Sequence, residues 1–464
     1  MRASRRGFLR GLAAAGGGSL AAAQLSAQGH AGHVSDPGTA VPAPAVRPPA
    51  SRARGDVRPL PVYTPDVPHM PWRMENGVKV FNIRCEHVRT EFLPGRVVDA
   101  WGFNGSVPGP TIEVDEGDRV RLIVENRLPE PFSMHWHGLE IPVSMDGMPG
   151  ISQPLIPPGG TFTYEFTLRQ NGTFFYHSHM AMQELMGMIG LFIIHPRRAH
   201  EPRVDRDFGL ILQGWAILPN NTIPNTLAME FNWLTLNGKA GPATTPMLVK
   251  RGERVRIRMV NLSMDHHPMH MHGNTFFVTG TEAGRIAPPW RQPENTVLVG
   301  VAQSRDIEFT ADNPGDWMLH CHLPHHMMNQ MVSMVGPLMA GHQGGMRPGT
   351  MESGMGIAEE RALSPENGPR FGRTIGGGAE SERGASHLLG PQHTPAGQRF
   401  PGFPQDMFMN MDEMFKDKPE THGLAPGWTG GMMGMMTLVR VLEPALFDRI
   451  EALRREQSDA EVGR

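Results

Sequence analysis

The sequence predicts an all-β protein of two Greek-key β-sandwich domains, and three observations carry that prediction. From about Pro71 the chain runs as short β-rich segments: VKVFNI (78–83), RVRLIVEN (119–126), TFTYEFTL (161–168) and GLFIIH (190–195). Gly, Pro and Asn break them, and short, evenly spaced strands of this kind read as sandwiches. The chain also repeats itself. GDRVRLIVENRLPEPFSMHWHG (117–138) aligns without a gap on GERVRIRMVNLSMDHHPMHMHG (252–273), an offset of 135. NGTFFYHSH (171–179) aligns with NPGDWMLHCH (313–322), ending at an offset of 143. Two copies of one domain follow, each of roughly 125–140 residues, a normal domain size. Thirdly, the histidine pairs of the two copies occupy equivalent places.

The elements follow in order. SRRGFLR (4–10) and the small apolar run behind it resemble a twin-arginine export signal over residues 1–27, which implies a periplasmic or secreted protein. Residues 28–69, rich in Pro, Ala and Arg, read as a flexible arm. The first sandwich spans 70–200 and the second 201–340, with the boundary near RRAHEPRVDR (197–206). Residues 341–428 read as an irregular Met- and Gly-rich insertion. GMMGMMTLVRVL (431–442) mimics LMGMIGLFII (185–194), so it is expected to close the second sandwich. Residues 443–464 form a C-terminal tail with a short surface helix.

Composition removes several classes. A net charge of −3 gives no footprint for nucleic acid or an anionic membrane surface. After the signal, no apolar stretch reaches the roughly 20 residues needed to cross a bilayer. Two cysteines make no disulfide framework.

The chemistry lies in four clusters: His135 and His137; His177 and His179; His267, His270 and His272; and His320, Cys321, His322 with His325 and His326. In a strand, residues i and i+2 point the same way, so each HxH aims two imidazoles at one place. Imidazole suits several transition metals; adding a thiolate and thioethers narrows the choice towards copper.

In the order HxHG, HxH, HPxHxHG and HCHxxxHxxxxM, these clusters resemble the four copper motifs of the multicopper oxidases. The resemblance covers about 70–340 plus the closing strand. It implies cupredoxin-like domains and four coppers per chain. By position, His267, Cys321 and His326 would hold a type 1 copper, with Met331 as axial ligand and Met435 as its competitor. His135 and His270 would bind a type 2 copper. His137, His177, His179, His272, His320 and His322 would bind a type 3 pair. Electrons from a reducing substrate, a phenol, an aromatic amine or Cu(I), would enter at Cys321 and pass through His320 and His322 to the site that reduces O₂ to water. Asp146 matches the family's proton-relay acid, whereas Met327 stands where many bacterial members have a glutamate. In the first copy the type 1 positions are Phe132, Ser178 and Gln183, so only the second holds that copper. Two-domain members of the family form homotrimers, and a trimer is expected here.

Two other classes stay open. A copper nitrite reductase would carry its blue copper in the first domain, where Ser178 stands. A non-catalytic copper-tolerance protein would use the 33 methionines, sixteen of them between 327 and 436, but would not need a cysteine flanked by two histidines.

Overall fold

The computed structural model describes residues 59–217, 221–229, 231–329 and 411–462. The export signal, most of the arm, most of the insertion and Met331 lie outside the described residues.

The first sandwich packs two sheets. One contains Trp72–Glu75, Val78–Leu93, Arg119–Asn126 and Thr161–Thr167, with Arg96–Phe103 paired to the long second strand. The other runs Gly109–Asp115, Ile189–His195, Gly172–Ser178, Met134–His137. Alternation sets the faces: along Arg119–Asn126, Val120, Leu122 and Val124 are buried while Arg119, Arg121 and Glu125 face outward. The inward residues meet Trp136, Tyr164, Tyr176 and Phe192 in one core.

The second sandwich repeats the plan. One sheet follows the order Trp233–Leu236, Arg206–Trp215, Arg254–Asn261, Gln303–Thr310, Phe276–Thr281. The other runs Met247–Lys250, Met436–Leu442, Gly315–Cys321, His267–Met271, Thr296–Val299. Met436–Leu442 therefore returns after a long excursion to pair with Gly315–Cys321. The hydrophobic segment Met-Thr-Leu-Val-Arg-Val-Leu has no other way to bury both faces, and all seven residues are buried.

Three segments differ from expectation. Within the segment expected to be a flexible arm, Val62 is wholly buried: its amide donates to Glu113 and its side chain joins a core cluster with Phe175 and Leu191. The end of the Met-rich segment is folded from Met411: the helix Asp412–Phe415 buries Phe415 against Ala243. The helix expected in the C-terminal tail runs Pro444–Val462, 19 residues rather than a short one, and Phe447 and Ile450 bury one face of it on Leu248 and Leu442.

Candidate metal centres

Strand pairing builds two histidine quartets. His135 lies opposite His177 across one antiparallel pair, and His270 lies opposite His320 across its counterpart. The next residue of the same face, His137 or His272, follows at i+2, and His179 or His322 follows the second strand's end. Ring centroids in the first quartet lie 5.3 Å apart for His135–His177, 5.3 Å for His135–His179 and 5.5 Å for His137–His177. The matching distances in the second are 5.6, 5.5 and 5.2 Å. No ring contact joins the two quartets among the described residues.

Hydrogen bonds fix which nitrogen faces inward. Nδ1 of His135 meets the carbonyl of Asp146 at 2.7 Å, that of His177 the carbonyl of Ser178 at 2.7 Å. Nδ1 of His270 meets the carbonyl of Asn295 at 2.8 Å, that of His320 the carbonyl of Cys321 at 2.9 Å. A ring that donates Nδ1–H to a carbonyl keeps Nε2 as its lone-pair nitrogen, the arrangement of a metal-bound histidine. The donor atoms of His135, His137 and His177 lie within 4.8 Å of one another. Burial holds His137 down at about 4 and lowers His135, His272 and His320 as well. These rings are neutral donors at neutral pH.

The third cluster is buried. Cys321 Sγ lies 3.6 Å from His267 Nδ1 and 3.4 Å from His326 Nδ1, and the two nitrogens are 3.1 Å apart. Burial pushes His267 down to about 3 and the Cys321 thiol up to about 12. Three soft or borderline donors thus converge, His267 and Cys321 held neutral by burial, and a cation would displace the thiol proton on binding. His267 Nε2 is buried and has no hydrogen-bond partner, so the ring's polar contacts all lie on Nδ1, the atom turned towards Cys321 and His326. The donor set fits copper best, because thiolate plus two imidazoles is the blue-copper combination.

Gly434 shapes this corner. Its φ is +62°, and a side chain there would strike the carbonyl of His326. The chain can therefore press Met435 into the core that holds Cys321; Met435 is wholly buried.

The first sandwich shows what fills the site when metal ligands are absent. Ser178 Oγ donates to Gln183 Oε1 at 2.8 Å, at the places of Cys321 and His326. Phe132, at the place of His267, is buried core. The first copy offers no thiol there, which argues against the nitrite-reductase arrangement.

Two acids near the rings escaped the sequence reading. Glu184 Oε1 lies 3.3 Å from His177 Nδ1, and Asp265 Oδ2 lies 3.6 Å from His326 Nε2. The bond to His326 holds the Asp265 carboxyl below its ordinary range. Asp146, singled out in the sequence, has its carboxylate 3.5 Å from His135 Nδ1. Gly147 lets this loop approach: φ is +84°, and a side chain would overlap the carbonyl of Met134.

Two multicopper oxidase sequence models match residues 84–199 and 218–336, together about half of the chain. A solved blue copper oxidase from Nitrosomonas europaea is 32% identical, with TM-score 0.51, covering 54% of this chain and 81% of that one. The chain belongs to the multicopper oxidase family. Both sandwiches are accordingly cupredoxin-like. Among curated relatives, this multicopper oxidase is 45% identical over 145 residues to copper resistance protein A of Escherichia coli, covering 31% of the chain and 24% of the relative. It is 32% identical over 257 residues to laccase-2 of Botryotinia fuckeliana, covering 49% and 43%. The chain thus spans well under half of these curated relatives' own length.

Proposed function

We propose that the protein oxidises a small reductant in one-electron steps at Cys321 and reduces O₂ to water at the histidine quartets. The observation that carries this is the placement of Cys321. Its Sγ faces His267 and His326, while its chain neighbours His320 and His322 belong to a quartet. A single peptide unit on either side joins the two centres.

His267, Cys321 and His326 would hold one copper, with a thioether from Met435 or Met331 as the weak fourth ligand. The eight quartet histidines would hold three more: a type 2 ion at His135 and His270, and a type 3 pair at the other six. Bound copper would supply a one-electron acceptor at the cysteine and the O₂-reducing centre at the imidazoles. The residues do the rest. The carbonyls of Asp146, Ser178, Asn295 and Cys321 orient the rings, and Asp146 is placed to pass protons towards His135.

Among the described residues no ring contact joins the two quartets, so a second copy would complete the proposed O₂ site. We propose a cyclic homotrimer in which the first quartet of one chain faces the second quartet of the next. Exposed apolar side chains beside each quartet support it: Val143, Ile151 and Met182 around the first, Leu298 and Leu323 around the second. Exposed on a free chain's surface, they would be costly to leave in water.

For the reductant we favour Cu(I) over a phenol. Met318, Met327, Met432 and Met436 pack together with Trp428, and Met327 is the neighbour of His326. Thioethers prefer the cuprous ion. Asp265 adds a carboxylate at the outer nitrogen of His326, the edge a cation would approach. Four Cu(I), one O₂ and four protons would give four Cu(II) and two waters. The names of the copper-resistance relatives agree with this, and export to the periplasm by the twin-arginine route, which SRRGFLR (4–10) resembles, would fit it. The test is oxygen uptake by the copper-loaded, signal-free protein with Cu(I) and a simple phenol side by side. Fast uptake with Cu(I) is expected; uptake with phenol alone would make it a laccase. Copper binding without any uptake would leave the non-catalytic copper-tolerance reading.

A further inference from the structure

We infer that the linker between the sandwiches covers a binding site for a small oxyanion of phosphate or sulfate size. The site rests on an arginine cluster that the copper chemistry does not use.

Glu308 is wholly buried and receives three guanidiniums: Arg254 at 2.8 Å, Arg256 at 2.8 Å and Arg285 at 2.6 Å. Asp207 pairs with Arg258 at 2.7 Å and with Arg256 at 3.3 Å, and Asp306 reaches Arg258 at 3.7 Å. Four arginines, Arg254, Arg256, Arg258 and Arg285, therefore face Glu308, Asp207 and Asp306, and Arg258 also feels the carboxylate of Glu113. Arg291 adds a fifth positive group close enough to feel Arg285, though burial lowers it first. An uncompensated charge in such surroundings is expensive. The Arg254 Nε–H is buried and donates to nothing. The linker's His200 is held down at about 4, first by burial and then by Arg285 and Arg256, which marks a positive field where it sits.

Beside this cluster lies a cleft of about 90 Å³. Arg197, Arg203 and His200 of the linker, with His195 at the end of a first-sandwich strand, line one side, Arg256 and Asp207 of the second sandwich the other. The acids near it are already engaged. Asp207 accepts from Arg256 and Arg258, Glu201 pairs with Arg203 at 3.3 Å, and Glu116 accepts the amide of Arg197. A cleft of this volume has room for one tetrahedral oxyanion. Such an ion would accept charge-assisted hydrogen bonds from several guanidiniums and restore the balance. It would also tie the linker to the second sandwich.

The test is calorimetric titration of the copper-loaded full chain with inorganic phosphate and with sulfate, sodium chloride keeping the ionic strength constant. One saturable site per chain is expected, together with a rise in melting temperature that chloride does not reproduce. The double variant Arg197→Gln with Arg203→Gln removes two exposed lining groups; it should bind phosphate about tenfold more weakly and keep its oxygen uptake in phosphate-free buffer. A response no larger than that to chloride would overturn the inference. So would undiminished affinity in the double variant, which would place the phosphate elsewhere, at copper for example.

Discussion

The amide of Cys321 donates to the carbonyl of Met435 at 3.0 Å, and the amide of Met435 donates to the carbonyl of His326 at 2.9 Å. Met435 is thus clamped between two residues of the buried thiol–imidazole cluster. The first sandwich keeps the same backbone bond, from Ser178 to Met188 at 3.2 Å, so the clamp belongs to the fold and the thioether is placed by it. We expect Met435→Leu to fold, since this swap conserves volume and costs less than about 1.5 kcal/mol. It should keep the blue absorption and raise the reduction potential, because the oxidised ion loses a donor. Met331→Leu should leave the potential where it was. Spectroelectrochemistry of both variants decides; a shift confined to Met331→Leu would return the axial role to that residue.

In the proposed trimer, catalysis would depend on assembly. Leu298→Asp places a charge on the exposed strand beside His267–Met271. Its expected result is a smaller particle by light scattering, an unchanged blue band and loss of most oxygen uptake. A monomer with full uptake would sink the shared-site arrangement.

Protons must reach the quartets for O₂ to become water. Asp146→Asn should lower turnover roughly a hundredfold or more, the range of a lost general acid, with the blue band intact. Glu184 touches His177 on the same quartet, so Asp146→Asn combined with Glu184→Gln should fall further than either change alone. Turnover at saturating reductant is the measurement. A double variant no slower than Asp146→Asn would remove Glu184 from the path.

The sequence exposed those parts of the site that depend on local geometry. HxH at strand spacing brings imidazoles to one face whatever lies around them, and the offset of 135 shows that two such faces exist. The closing strand was legible because GMMGMMTLVRVL echoes the first domain's end. Glu184 and Asp265 were not, since no spacing rule links a carboxylate on a short helix or loop to a ring beside it. The ion network of Arg256, Arg258 and Glu308 was hidden for a similar reason. On the alternating pattern these residues read as a solvent-facing row, yet the linker and the first sandwich cover them: Arg258 reaches Thr173 at 2.7 Å.

The metal-free protein should lose stability on mild acidification. His267 stands at about 3, and His137 and His200 at about 4, against 6.5 for the unfolded chain. Below pH 6.5 the unfolded state takes up protons that the folded state refuses, so stability is complete above that pH and drains away as pH falls towards 4. The lowered carboxyls of Asp265 and Glu308 act the same way, but only near and below the ordinary carboxylate range. Between pH 7.5 and 5 the histidines therefore act alone. The wholly buried His267 should account for about 2 kcal/mol at pH 5. Copper should steepen the loss, because protons then compete with the metal for the same nitrogens. Melting curves of the metal-free and copper-loaded protein across that range test this. A metal-free melting temperature that stays level from pH 7.5 to 5 would mean that these imidazoles are not buried as neutral rings.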